Sequence, residues 1–141
     1  MESLSSNHLE ILHETLQQIE WCILHLQEWN EGLQSRDEWV HTSSGMQKLA
    51  ANCMLIETIG ESVKKIEQRV GKEIFDQRPE IPWRAVMSMR NHIAHGYFEL
   101  DDAYVFSVIK NDLDPLLEAI RYLLDETEKQ MIERQVDEQN L

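Results

Sequence analysis

The sequence predicts an all-α protein, folded as an antiparallel bundle of four to five helices. Apolar residues recur at steps of three and four along several long stretches, as they do on one face of a buried helix. Glycine and proline fall mainly between those stretches, and no segment shows the apolar–polar alternation of a strand. The chain of 141 residues is expected to form one domain over 1–141, with a polar tail from about residue 126.

The first helix is predicted over Asn7–Trp29. Asn7 and Glu10 have the spacing of a capping box at its start. The pattern breaks after Trp29, and a short turn or helix is expected to carry Trp39. The apolar stripe of this helix consists of Leu9, Leu12, Leu16, Ile19, Ile23, Leu26 and Trp29.

The second helix is predicted over Met46–Val70, where an almost unbroken three-four stripe favours a core position or a dimer seam. Gly71 is a natural stop for this helix. Gly60 lies inside it, where glycine costs about 1 kcal/mol relative to alanine. A glycine at that position suggests that another helix approaches closely.

Two proline-bounded segments supply the remaining helices. Pro82 suits the first turn of a third helix that would run to about His95 and end at a left-handed Gly96. The fourth would start near Asp101 or Asp102, and Pro115 would kink or split it. The polar tail after residue 126 is expected to fray.

The composition, the N-terminal residues and the cysteines indicate what class of protein this is and where in the cell it is expected. Hydrophobic residues make up 42% of the chain, which is typical of a globular protein, and no apolar run approaches the length of a membrane span. The polar N-terminus does not resemble a secretion signal. Cys22 and Cys53 are isolated, which favours two reduced core residues in a cytoplasmic protein.

The charge is unevenly distributed. The net charge of −13 alone argues against non-specific binding to nucleic acid. The segment from Lys64 to His95, however, contains seven basic and four acidic residues and so carries +3, which leaves −16 for the rest. This segment could receive an anion, or it could be a solvated helix face of mixed charge.

The residues best suited to chemistry cluster between Arg90 and Tyr97. Metal-free cleavage of RNA needs a base for the 2′-hydroxyl proton, an acid for the leaving oxygen and a cation for the phosphate. His95 suits the proton transfers because its pKa lies near neutrality, and Arg90 suits the phosphate because it stays charged. Asn91 and Tyr97 could orient the substrate.

Helix geometry is compatible with such a site. Asn91 and His95 would share one face, and Arg90 would lie about 140° around from His95, so a second copy could close the groove between them. Each residue alone is more commonly structural. The Arg90–His95–Tyr97 spacing, however, is expected by chance only about 0.006 times in a chain of this composition.

A metal site is a weaker interpretation of the same cluster. His92 and His95 are three residues apart, but no third ligand lies near them in the sequence. We therefore expect neither a metal nor a cofactor.

The motif Arg90-x-x-x-x-His95-x-Tyr97 resembles the signature of the HepT family within the HEPN superfamily. The flanking segments 81–84 and 59–62 resemble that family too, and the similarity covers about residues 55–120. The resemblance implies a HEPN-type two-fold dimer that cleaves RNA without metal through a composite site. Arg90 would polarise the phosphate, and His95 would be the general acid and base.

The resemblance also implies a partner. Toxins of this family pair with a minimal nucleotidyltransferase antitoxin, which would attach AMP to Tyr97 and so place negative charge beside Arg90. Two other interpretations stay open at this point. The chain could be a non-catalytic helical scaffold for such a nucleotidyltransferase, or a bundle that binds a nucleotide or a metal.

Overall fold

A computed structural model describes residues 4–94 and 99–140. Three long helices form the frame: α1 (Ser6–Trp29), α3 (Ser43–Arg69) and α7 (Leu113–Gln139). α1 packs against both α3 and α7. The described residues contain no strand beyond one isolated bridge, and the predicted all-α bundle is confirmed.

Shorter elements complete the bundle and cover its ends. α2 (Asp37–Val40) precedes α3, and a 3₁₀ turn (Lys72–Gln77) follows it. α4 (Trp83–Met87) and α5 (Met89–Ile93) then cross α3. A last run comprises α6 (Asp102–Ser107), a π turn (Val108–Asp112) and α7.

Two of the three long helices, α1 and α3, begin at side-chain caps. The Ser5 hydroxyl accepts a hydrogen bond from the His8 N–H at 3.1 Å, so the predicted capping box of Asn7 and Glu10 is wrong. α3 begins three residues before the predicted Met46, because the Thr42 hydroxyl accepts from the Gly45 N–H at 2.9 Å. Each cap satisfies one of the otherwise unpaired N–H groups of a helix start.

The predicted stripes form the core. Most of their side chains are almost completely buried between α1, α3 and α7, and Trp39 of α2, which is 1% exposed, packs against them. Trp29, the last member of the first predicted stripe, is an exception because it is 45% exposed. One polar pair also lies inside. The Asn30 Nδ2 donates to the Asn52 Oδ1 at 2.8 Å, and the Asn52 Nδ2 donates back at 3.1 Å.

Gly60 allows α4 to cross α3 closely, which confirms the inference from its position. A β-carbon at Gly60 would lie 2.8 Å from the carbonyl oxygen of Val86. Gly71 has φ +125° and its N–H donates to the Ile66 carbonyl, as predicted for the stop of this helix.

The predicted third helix is wrong in its extent. Ser88 breaks it into α4 and α5, and α5 ends at Ile93 with Ala94 in an extended conformation. The helical geometry that placed Asn91 and His95 on one face therefore does not apply. The predicted cap at Gly96 lies outside the described residues.

The fourth helix begins as predicted, because the Asp101 side chain accepts from the Tyr104 N–H at 3.0 Å. The disturbance expected from Pro115 takes the form of the π turn, which ends three residues before it. Proline has no N–H to donate, so the regular hydrogen-bond ladder is already broken there.

The expected fraying of the tail is wrong. α7 continues to Gln139, and Thr127 is completely buried. Glu128 accepts from His13 at 3.2 Å, and Glu138 accepts from Ser6 at 3.4 Å. The polar residues of this segment thus meet polar partners on α1, which its composition alone did not reveal.

The structure also bears on the cysteines and on membrane-spanning segments. Cys22 and Cys53 are free and buried, as predicted, and burial raises the pKa of both thiols. Within the described ranges, no helix is both long and apolar enough to cross a membrane.

Candidate functional site

α5 presents two of the predicted site residues to solvent. Arg90 and Asn91 are both exposed, whereas Met89 and Ile93 of the same helix are 5% and 0% exposed. The buried pair anchors α5 against the core. The guanidinium and the amide are therefore held on a fixed helix while their polar atoms face outward.

The chain before residue 95 and the chain after residue 98 come together directly after α5. The Asp101 N–H donates to the Ile93 carbonyl at 2.7 Å, and Ala94 forms an antiparallel bridge with Leu100. His95 and Tyr97 lie outside the described residues, so their placement relative to Arg90 stays a prediction.

Arg90 lines an open groove of about 380 Å³ whose other wall is the outer face of α3. This wall was not predicted from the sequence. Its positions fall at helical steps opposite the apolar stripe, and that pattern could have identified it. The α3 residues that line the groove are Met54, Glu57, Thr58, Glu61, Ser62 and Lys65.

The groove has a free cation on each wall. Among residues 4–94 and 99–140, no carboxylate lies within 4.0 Å of the charged nitrogens of Arg90 or Lys65. Glu61, also in the groove, has Lys64 at 4.0 Å from its carboxylate. Two unpaired cations across an open groove can attract a phosphate backbone, although Glu57 and Glu61 limit the net charge.

Another cation of the basic segment is already engaged. Arg78 donates to Glu80 at 2.6 Å and to Glu118 at 3.5 Å, and its guanidinium lies 5.3 Å from the ring centre of Tyr122. The hydrogen bond to Glu80 is the main reason that the pKa of Arg78 is raised. The charge counted along the sequence therefore overstates what this segment offers a ligand.

His92 is held by an aromatic contact. Its ring stacks on Tyr104 of α6, with 5.2 Å between ring centres and 29° between planes. Burial raises the pKa of Tyr104, and Asp112 and Asp101 raise it further, so the phenol stays neutral. Over the part of the chain that the structure describes, no three His, Cys, Asp or Glu side chains are grouped as metal ligands would be.

A family model described as Ribonuclease HepT-like matches residues 9–123. The chain belongs to this family. It is a HepT-type HEPN protein, and the matched range includes Arg90, Asn91, His95 and Tyr97.

Curated relatives agree with this assignment over shorter stretches. The chain is 34% identical over 61 residues to "Probable ribonuclease HepT" of Thermococcus cleftensis, covering 43% of this chain and 52% of that protein. It is 30% identical over 74 residues to a Methanocaldococcus jannaschii protein named as a candidate RNase, covering 52% and 60%.

A second Methanocaldococcus jannaschii protein, named as a gamma-glutamylcyclotransferase and candidate RNase, is 31% identical over 74 residues. That match covers 52% of this chain and 32% of the relative. The HepT-like chain therefore spans about a third to three fifths of these relatives. No solved structure matches it significantly.

Proposed function

We propose that this HepT-like protein is a metal-independent endoribonuclease, the toxin of a toxin–antitoxin pair, acting as a homodimer with 1–141 as one domain. The observation that carries the proposal is the placement of Arg90. Its guanidinium is exposed, unpaired among the described residues and set on a groove. A cation held in this way is available to a phosphate of RNA.

The proposed chemistry is an in-line transfer at one phosphate. His95 of one protomer takes the proton of the 2′-hydroxyl, whose oxygen forms a bond to phosphorus. The bond to the 5′-oxygen breaks, and His95 of the second protomer protonates that oxygen. The products are a 2′,3′-cyclic phosphate and a free 5′-hydroxyl.

The other site residues would stabilise the developing charge or orient the substrate. Arg90 stabilises the negative charge that develops on the non-bridging oxygens. Asn91 lies beside Arg90 on the exposed side of α5 and would hydrogen-bond the ribose or the phosphate. Tyr97 would hold the substrate through its hydroxyl.

Tyr97 would also be the point of control. A minimal nucleotidyltransferase antitoxin would transfer AMP from ATP to the Tyr97 oxygen and release pyrophosphate. The added phosphate would lie on the segment that follows α5 and compete with RNA for Arg90.

The decisive experiment compares wild-type protein with Arg90→Ala and His95→Ala in EDTA, using a mixed pool of cellular RNA. Arg84→Ala is the matched control, because Arg84 is also exposed and lies in the same basic segment but outside the groove. Light scattering establishes that each protein is dimeric. We expect cleavage by wild type and Arg84→Ala, and at least 100-fold slower cleavage by the other two.

Two outcomes would contradict the proposal. Equal cleavage by all four proteins would mean that Arg90 and His95 are not catalytic. A folded dimer that cleaves no RNA, but binds the nucleotidyltransferase, would instead identify a scaffold.

A further inference from the structure

A second cavity lies away from the groove, between α4, α5 and the π turn, and measures about 170 Å³. Six of its lining side chains are apolar and at most 8% exposed, so they form fixed walls. An apolar cavity of about 150 Å³ is large enough to hold benzene. These walls include Ile81, Val86, Met89, Val108, Leu113 and Leu116.

Three polar side chains also line this cavity: Glu80, Tyr104 and Asp112. Glu80 is already neutralised by Arg78 at 2.6 Å. Asp112, at the end of the π turn, has no charged nitrogen of the described chain within 4.0 Å. The side chain of Asp112 is exposed overall, and partial burial of its carboxylate raises its pKa.

Asp112 is a carboxylate without a cationic partner among the described residues, and it lies beside an apolar cavity about the size of an aromatic ring. A complementary ligand would therefore combine a cation with such a ring. We propose that this cavity binds a small aromatic amine, with the ring between Val86, Val108 and Leu116 and the ammonium group at Asp112. Tyr104 lines the same cavity, and the charge of Asp112 contributes to the raised pKa of its phenol, so the two polar groups lie near each other. An aromatic acid would be repelled by Asp112, and a neutral ring would gain no attraction from its charge.

The cavity and the groove share a helix but no lining side chain. α5 contributes Met89 to the cavity and Arg90 to the groove. The amine site is therefore independent of the proposed RNA cleavage, and each can fail without the other.

Calorimetry with the full chain tests the proposal, using 2-phenylethylamine as the probe. 2-Phenylethanol and 3-phenylpropanoate serve as neutral and anionic comparators that carry the same ring. We expect the amine to bind about tenfold more tightly than the alcohol, because a hydrogen bond to a charged group adds that much, and the acid not to bind. Methyl NMR signals of Val108, Leu113 and Leu116 should shift with the amine.

Two variants locate the site. Asp112→Asn should weaken the amine about tenfold and leave the alcohol unchanged. Asp125→Asn is the control, since Asp125 is an exposed acid of α7 outside the cavity. Ala85→Phe should abolish binding by filling the mouth, and Ala85 is exposed, so the bundle should tolerate the change.

The proposal is overturned if the amine and the acid bind equally. It is also overturned if Asp112→Asn and Asp125→Asn have the same effect, or if Ala85→Phe leaves binding intact. Shifts confined to methyl groups remote from the cavity would reject it as well.

Discussion

Gly60 of α3 faces the carbonyl of Val86 in α4 so closely that a β-carbon would lie 2.8 Å from the oxygen. This contact sets the distance between α3 and the short helices that carry the site. Gly60→Ala should therefore destabilise the protein by about 1–3 kcal/mol, although alanine gains about 1 kcal/mol in helix propensity. Urea unfolding measures the change.

The control for Gly60→Ala is Gln47→Ala, at an exposed position of the same helix. We expect Gln47→Ala to lie within about 0.5 kcal/mol of wild type. A Gly60→Ala protein that is more stable than wild type would show that the helix crossing does not depend on this glycine.

Asn30 and Asn52 form the polar pair inside the core, with reciprocal hydrogen bonds of 2.8 and 3.1 Å. Asn52→Leu should cost about 1–3 kcal/mol, because the buried Asn30 side-chain oxygen loses its donor. Asn30→Leu also removes a bond to the Leu26 carbonyl, so a double-mutant cycle is needed to isolate the pair. Strictly additive single and double variants would mean that the pair contributes nothing as a unit.

Lys65 shares the groove with Arg90 and has no carboxylate partner among the described residues. If RNA follows this groove, Lys65→Ala should lower the slope of log Kd against log salt by about 0.7, the value for one contact to a single strand. Fluorescence anisotropy with labelled RNA measures the slope.

Lys129→Ala is the matched control for Lys65→Ala, because Lys129 pairs with Glu126 far along α7. Its salt slope should equal that of wild type. Equal slopes for all three proteins would remove Lys65 from the RNA path and leave Arg90 untested by this measurement.

The Cys53 thiol should make the stability of the folded state depend on pH. Burial, and then Glu57, raise the pKa of its thiol from 9.0 to about 11. The folded state thus holds the thiol proton more tightly than the unfolded state. The contribution of the protonated thiol to the free energy of unfolding is therefore complete below pH 9 and is lost between pH 9 and 11. The free energy of unfolding of Cys53→Ala should fall less than that of wild type over this window.

Urea unfolding of both proteins from pH 7 to 11 provides the comparison, and tyrosine and lysine titrations cancel in the difference. The difference between the two proteins should be constant below pH 9. A constant difference up to pH 11 would show that the thiol titrates alike in both states.

The long helices could be predicted from the sequence because their apolar stripes record which face is buried. Gly60 was informative for the same reason, since a glycine inside a strong stripe has a cost that a close contact explains. The candidate functional site was harder to predict from the sequence. The break at Ser88 and the extended Ala94 depend on how α5 meets α3 and α6, which no local pattern records.

Two other features depended on distant partners. The end of α7 is polar, but Ser6 and His13 on α1 receive its side chains. Lys65 and Arg90 line one groove because α5 lies against α3, and the two residues are far apart in the sequence. A motif such as Arg90–His95–Tyr97 identifies residue types and spacing, whereas the second wall of a groove comes from another part of the chain.

The bridge between Ala94 and Leu100 joins the chain on both sides of residues 95–98. This bridge and the 2.7 Å hydrogen bond from the Asp101 N–H to the Ile93 carbonyl use backbone atoms alone, so they do not depend on which side chains lie between them in the sequence. Under the proposed function, a substitution at His95 or Tyr97 would change cleavage or its control and leave this backbone pairing in place.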